Sequence, residues 1–250
     1  MASKMKAVVM DGFGSPDVLH LSTVEQPVPN DTQVLIQVAA TSVNRPDIVQ
    51  REGNYPPPSG ESDVLGLEIA GTVIEVGKDV TDWHLGDRVV ALVGGGGYAQ
   101  FATAYAVHLI RIPESVSFQE AACICETYIT AYLNLFRIAG LRNGQSVLLH
   151  GGGGGVNTAA AHLCHALVPE ATVIVTASSA KVEPVRALGV DSVIDYQKQD
   201  FAEEVKRITQ GRGVDAILDH IGAAYLTSNM KALAMEGALV IIGVMSGARS

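Results

Sequence analysis

The sequence predicts an α/β protein in two parts: a β-rich first half and a second half built as a doubly wound parallel sheet. Three observations carry this reading. Short alternating or β-branched runs, punctuated by Pro, Gly, Asn and Asp, fill the amino-terminal part. From residue 146 onward, apolar β runs alternate with helical segments, which calls for parallel strands covered on both faces. Between the two textures, Ser117-Phe118-Gln119-Glu120 has the pattern of a capping box and starts a helix.

Taken in order, strands are expected at 7–10, 34–39, 69–76 and 88–93, with Pro27, Pro29, Pro56, Pro57 and Pro58 marking loops. The helix runs from 117 to about 138 and bridges the two parts, which divide the chain into 1–125 and 126–250. Beyond it, strands are expected at 146–150, 172–176, 192–195, 214–220 and 238–244. Helices fall between them near 158–167, 181–188, 201–209 and 226–235.

Composition narrows the function classes. The 250 residues are 48% hydrophobic, with 17 Lys and Arg against 26 Asp and Glu, a formal charge of −9. Such a chain builds a core, and its acidic balance without a Lys/Arg cluster presents nothing for a nucleic-acid backbone. No segment approaches the roughly 20 apolar residues of a membrane-spanning helix. With no readable signal peptide, a cytoplasmic location is expected, with Cys123, Cys125 and Cys164 reduced.

Two runs, 94–97 and 151–155, hold 9 of the 26 glycines. The second follows the apolar strand Val147-Leu148-Leu149-His150 and leads into Val156-Asn157-Thr158-Ala159-Ala160-Ala161, a helix of small residues. A strand, a glycine turn and a helix in that order set backbone N–H groups and a positive helix end against a pyrophosphate. A glycine run alone also suits a flexible hairpin; the flanking strand and helix favour dinucleotide binding. An acid about 20 residues further on would bond the ribose 2′-hydroxyl of NAD. Here the second strand ends Val175-Thr176-Ala177-Ser178-Ser179-Ala180-Lys181, without an acid. Hydroxyls and a cation there suit the 2′-phosphate of NADPH, although Ser178 and Ser179 can also cap the next helix.

Further signals appear at family-like intervals: Met5-Lys6-Ala7-Val8, Asn44-Arg45-Pro46-Asp47, Gly53-Asn54-Tyr55-Pro56, Gly66-Leu67-Glu68-Ile69-Ala70-Gly71, Gly86-Asp87-Arg88-Val89, Asp219-His220-Ile221-Gly222 and Gly237-Ala238-Leu239-Val240 before Gly243. With the glycine loop, they resemble the medium-chain dehydrogenase/reductase superfamily in its zinc-free quinone oxidoreductase branch, the zeta-crystallin-like enzymes. The resemblance covers essentially the whole chain. It implies a GroES-like β-barrel for the first part and a Rossmann domain for the second, with the active site in the cleft between them. Asn44 stands where zinc-dependent relatives place a catalytic cysteine, Leu67 where they place a ligand histidine, and glycines 94–97 replace the cysteines of their structural site. No metal is therefore expected. His162, Cys164 and His165 on the helix after the glycine loop read as core filling rather than as ligands, and Cys123 and Cys125 diverge on theirs.

The resemblance also implies roles. Tyr55 donates its phenolic hydrogen to a quinone oxygen, and Asn44 orients cofactor or substrate through its amide. Gly151, Gly154, Gly155, Val156 and Asn157 belong to the pyrophosphate loop; Ser178, Ser179, Lys181 and Tyr196 count with the cofactor residues. Thr130 lies near the nicotinamide or its phosphate, and Gly243 and Val244 end the last strand where the cofactor edge approaches. The expected activity is zinc-independent, NADPH-dependent reduction of a quinone or a conjugated enal or enone. The alternatives are an enoyl-thioester reductase, or a catalytically poor NADPH-binding or regulatory protein. The expected partners are small-molecule quinones or activated alkenes, not nucleic acid or membrane, and relatives of this family form homodimers. Two departures bear on these expectations. Asn157 replaces a family glycine, so its side chain is expected to crowd the helix against the sheet and weaken cofactor binding. Relatives continue past the point where this chain stops, so it is expected to be truncated, with the strand near 238–244 left at an open edge.

Overall fold

The computed structural model describes residues 3–247 and divides into two compact units, Met1–Glu126 and Thr127–Ser250. In the first unit, β1 (Lys4–Met10) pairs antiparallel with β2 (Leu19–Glu25) as a ribbon. A five-stranded antiparallel sheet follows, made of β3 (Gln33–Thr41), β4 (Glu68–Val76), β5 (Arg88–Leu92), β6 (Phe101–Tyr105) and β7 (Leu109–Arg111) in the order β6-β3-β4-β5-β7. Its buried face joins Val34, Ile36, Ile69, Val73, Val89 and Ala91 to Ala102 and Ala104 of β6. The sequence patterns missed β2, β6 and β7. β2 has no buried residue, β6 buries only two alanines, and β7 is three residues long, so none shows the bulky alternation that marks a half-buried strand.

Helix α1 (Arg45–Arg51) begins with Pro46 in its first turn, where a missing N–H costs nothing, and the Asn44 N–H donates to Asp47 Oδ2 at 2.7 Å. Helix α2 (Phe118–Ala121) has the expected capping box: Glu120 N–H donates to Ser117 Oγ at 3.2 Å and Ser117 N–H to Glu120 Oε2 at 2.9 Å. The stretch to 138 is not the single regular helix expected. A turn follows α2, and π-helical segments Cys125–Ile129 and Leu133–Ile138 flank a short α3 (Thr130–Tyr132). One physical reason is visible at Asn134: its side-chain amide donates to the Thr130 carbonyl at 2.8 Å and competes for the acceptor an α-helical N–H would use.

The second unit is a five-stranded parallel sheet in the order β10-β9-β8-β11-β12. Its strands are β8 (Ser146–Leu149), β9 (Thr172–Ala177), β10 (Ser192–Asp195), β11 (Val214–Asp219) and β12 (Leu233–Ile241). Four helices alternate with them: α4 (Gly155–Leu167), α5 (Val182–Arg186), α6 (Phe201–Ile208) and α7 (Leu226–Ala232). The three central strands, β9, β8 and β11, are buried on both faces, as the parallel reading requires. Val147, Leu149, Val173, Val175 and Leu218 pack with Ala159, Ala160 and Cys164 of α4. Leu148, Ile174 and Ile217 pack with Phe201, Val205 and Ala232 on the other side. The chain winds outward from β8 to β10 and then restarts at β11 beside β8, so the order reverses between β8 and β11, where doubly wound sheets bind ligands at their carboxyl ends.

The last elements differ from expectation. Helix α7 stops at Ala232 rather than 235, and β12 spans Leu233–Ile241 rather than 238–244. Its pairing with β11 breaks register between Val214↔Leu233 and Ala216↔Ala238, and Glu236 takes φ 64° within this irregular stretch of the strand. Gly243 and Val244 therefore lie beyond the strand rather than at its end. Among the described residues, the only strand that pairs with β12 is β11.

Candidate functional site

The glycine loop is shaped by what lies beneath it. Gly151 and Gly153 take φ of +77° and +79°, conformations that side chains disfavour. A Cβ on Gly151 would run into the His220 ring; on Gly152 it would meet Val175 Cγ1 at 2.7 Å and Val185 Cγ2 at 2.8 Å. On Gly155 it would meet Thr127 Cγ2 at 2.9 Å, whereas Gly154 meets nothing nearer than the Gly151 carbonyl at 3.4 Å. The loop is tied to the end of β9, with Gly152 N–H donating to the Thr176 carbonyl at 2.7 Å and Gly151 N–H to Thr176 Oγ1 at 3.2 Å. Helix α4 starts at Gly155, inside the glycine run, so its first-turn N–H groups belong to the loop itself. Gly154 and the start of α4 at Gly155 and Val156 thus set backbone N–H groups at a helix start, which fits a dinucleotide pyrophosphate, while the Gly151 N–H holds the loop to Thr176.

Asn157 lies in the first turn of α4. Its side chain is buried and folds back, with Nδ2 donating to the His150 carbonyl and, at 2.9 Å, to the Gly151 carbonyl. The amide thereby ties the end of β8 to the first turn of α4.

Ser178, Ser179 and Lys181 gather at the carboxyl end of β9. The Lys181 stem lies over the loop, its Cδ 3.1 Å from where a Gly153 Cβ would be. Tyr196 follows β10 and its N–H donates to the Ala177 carbonyl at 3.2 Å, which sets it beside these residues. An acid missed at the sequence level stands among them. Asp195 ends β10 in register with Ala177 and accepts from Ser179 Oγ at 2.6 Å, with Lys198 Nζ at 3.3 Å. The Ser179 hydroxyl, above all, holds its carboxyl below the usual range. The end of the second strand carries no acid of its own; the register of the third strand against it supplies one.

On the helical side, Thr127 rather than Thr130 meets Gly155; the Thr130 carbonyl is occupied by Asn134. Gly243 and Val244 fold over the loop after β11: Met245 N–H donates to the His220 carbonyl at 3.1 Å, and a Cβ on Gly222 would stand 3.0 Å from Val244 Cα. Both residues thus sit at the carboxyl end of the sheet, against the residues that follow β11.

In the first unit, Asn44 is part of a buried acidic cluster. Its Nδ2 donates to Glu68 Oε1 at 2.7 Å and to Ser42 Oγ at 2.9 Å, which uses both amide hydrogens. Glu68 is fully buried, takes the Ser42 hydroxyl on the same oxygen and the Glu126 N–H on the other at 3.0 Å. Asp47 accepts from Tyr98 Oη at 3.0 Å. Burial pushes the Asp47 and Glu126 carboxyls up, with Glu68 adding to both. The Cys125 thiol is pushed up to about 12 by burial and by these carboxylates, which removes it as a nucleophile. Tyr55 is 45% exposed and lines a groove of about 250 Å³ with Met10, Phe13, Gln50, Pro56 and Asp63. Asn44 is not among the residues of that groove.

The residues do not fit a metal. Asn44 is spent on Glu68 and Ser42, Leu67 is buried and apolar, and among the described residues no group of three or more His, Cys, Asp or Glu is placed to hold an ion. His162 instead bonds the Tyr128 hydroxyl at 2.8 Å, and Cys164 packs in the core. Among the described residues, no helix is long and apolar enough to cross a membrane.

Comparison with known proteins agrees with these features. Residues 30–114 match the alcohol dehydrogenase GroES-like domain, and residues 155–250 match the model described as zinc-binding dehydrogenase. The chain is 38% identical over 244 residues to the mouse synaptic vesicle membrane protein VAT-1 homolog-like, covering 97% of this chain and spanning 57% of that relative. A quinone oxidoreductase of Pseudomonas syringae pv. Tomato DC3000 superposes with TM-score 0.89 at 31% identity, over 98% of this chain and 75% of that one. The CurK enoyl reductase superposes with TM-score 0.87 at 29% identity, over 96% and 75%.

Proposed function

This chain belongs to the zinc-free part of the medium-chain dehydrogenase/reductase superfamily, and from that premise we propose that it moves hydride from NADPH to a quinone. The observation that carries the proposal is the bare cradle at residues 151–155, tied to Thr176 and overlaid by the Lys181 stem, at the point where the strand order reverses. Bound NADPH supplies the hydride from its nicotinamide ring.

The chain's own residues do the rest. The loop amides and the start of α4 hold the pyrophosphate, and Gly153 leaves room for the Lys181 stem, whose ammonium serves a 2′-phosphate. Ser178 stands beside Ser179 for the same phosphate. Asp195 keeps the Ser179 hydroxyl pointed toward itself and shares its charge with Lys198, which offsets a carboxylate close to a phosphate site. Tyr55, half-exposed on its proline-flanked loop, donates its phenolic hydrogen to the oxygen on which negative charge develops. A quinone spreads that charge over its ring and needs only such a donor. Asn44, with both amide hydrogens committed, positions the start of α1.

A second reading, an enoyl-thioester reductase, is favoured by the likeness to the CurK enoyl reductase. One experiment separates the two: steady-state NADPH oxidation by the purified chain, with an ortho-quinone beside an enoyl thioester. Faster turnover of the quinone supports the first reading, and faster turnover of the thioester the second. NADPH binding without turnover of either counts against both, and fits a cofactor-binding protein with a regulatory part.

A further inference from the structure

Beneath the glycine loop lies a fully buried polar chain that hydride transfer itself does not use. It starts at Gly151 N–H, which donates to Thr176 Oγ1 at 3.2 Å; Thr176 Oγ1 stands 3.0 Å from His150 Nδ1, and His150 Nε2 stands 2.7 Å from Asn229 Oδ1. Asn229 Nδ2 donates to Asp219 Oδ2 at 3.0 Å, and Asp219 accepts the Ile221 N–H at 2.6 Å and the Gly222 N–H at 3.3 Å. His150, Asn229 and Asp219 are each 0% exposed and Thr176 is 1% exposed. The imidazole is boxed by Phe201 and Tyr225, with ring centroids at 4.7 and 4.9 Å.

The directions of these bonds are determined from one end. Asp219 offers only acceptors, so Asn229 turns its NH₂ toward it and its carbonyl toward His150. That carbonyl requires a hydrogen on His150 Nε2. Burial keeps the ring neutral, its pKa pushed down to about 4, so Nδ1 presents a lone pair. The Thr176 hydroxyl then gives its hydrogen to Nδ1 and turns a lone pair to the Gly151 N–H. The chain ends in two loops at the carboxyl edge of the sheet: the glycine loop after β8, and the loop after β11 on which Gly243 and Val244 fold.

A purely apolar filling would pack the same space, because Phe201 and Tyr225 already supply the walls. A buried polar chain with every member satisfied instead selects one arrangement of the groups at its ends. We propose that His150, held between Thr176 and Asn229, is a positioning residue that sets the backbone of the glycine loop for the cofactor and couples it to the loop after β11. The proposal rests on the cofactor-binding reading of that loop, but its first readout does not need the cofactor.

Two variants test it. Thr176→Val removes only the hydroxyl, and His150→Phe keeps an aromatic ring in the box. In the nucleotide-free chain, amide hydrogen exchange at residues 151–156 is expected to rise about tenfold in both, while exchange in β3 of the first unit stays as in the wild type. Titration with NADPH is expected to give a Kd about tenfold higher, equivalent to one hydrogen bond. If His150→Phe fails to fold, Thr176→Val decides. Unchanged loop exchange in folded Thr176→Val overturns the proposal. A wild-type chain that does not bind NADPH overturns the cofactor reading instead, and the exchange data still judge the positioning role.

Discussion

The Asn44 side-chain amide donates to the Glu68 carboxylate at 2.7 Å, and Glu68 is entirely shielded from water. A buried carboxylate is tolerated only while its oxygens are supplied with donors. Asn44→Leu removes one and is expected to cost about 1–3 kcal/mol in urea unfolding. Asn44→Asp sets a second carboxylate against Glu68 and should cost more. Adding Glu68→Gln to Asn44→Asp should recover part of that loss, and strict additivity of the two changes would show that the pair does not interact.

Asn157→Gly tests the loop from the other side. The Asn157 amide satisfies the His150 and Gly151 carbonyls, so glycine there is expected to destabilise the second unit by about 1–3 kcal/mol and raise the Kd for NADPH. A lower Kd in titration calorimetry would mean that the asparagine crowds the helix against the sheet and weakens cofactor binding, as its place in the glycine pattern first implied.

How far these residues were legible in the sequence differs between them. The cradle was readable because a strand, five glycines and a helix of small residues are contiguous, and contiguity fixes their geometry. At Asn157 the pattern records that a side chain replaces a hydrogen atom, not that it can fold back onto two carbonyls. Asp195 and the His150–Asn229–Asp219 chain depend on which strands lie side by side and in what register, and no local pattern shows that. Likewise β6 was invisible because two alanines make its buried face, and at Leu133–Ile138 the Asn134 side-chain amide competes with the backbone for the Thr130 carbonyl, which apolar spacing does not show.

Tyr55→Phe removes a hydroxyl and little else. Tyr55 is 45% exposed, so the melting temperature should stay within about 1 °C of the wild type, since surface changes shift stability by at most about 0.5 kcal/mol. Quinone kcat is expected to fall about a hundredfold to a thousandfold with NADPH affinity unchanged, as for loss of one oxyanion donor. Equal kcat values would remove Tyr55 from the mechanism.

Acid should destabilise the second unit through His150. Its pKa is pushed down to about 4 from the usual 6.5 by burial, so the unfolded chain takes up this proton first as pH falls. The contribution is fully present above pH 6.5 and is lost as pH drops toward 4. At about 1.4 kcal/mol per pH unit, the loss over this window is on the order of 3 kcal/mol. Denaturant unfolding across the window should show this slope in the wild type and a flatter one in His150→Phe; parallel slopes would assign the acid sensitivity to other groups.

Lys181→Ala separates the two nucleotides. The Lys181 stem lies over Gly153, and its ammonium is assigned to the 2′-phosphate. The Kd for NADPH should rise about tenfold, in the range of a charge-assisted hydrogen bond, while that for NADH stays unchanged.

The most direct measurement is NADPH oxidation by the purified chain with an ortho-quinone, run beside NADH and beside Tyr55→Phe. The account predicts turnover above the protein-free rate, preference for NADPH over NADH, and a large loss in the variant. Tight NADPH binding with no quinone-dependent oxidation would contradict it.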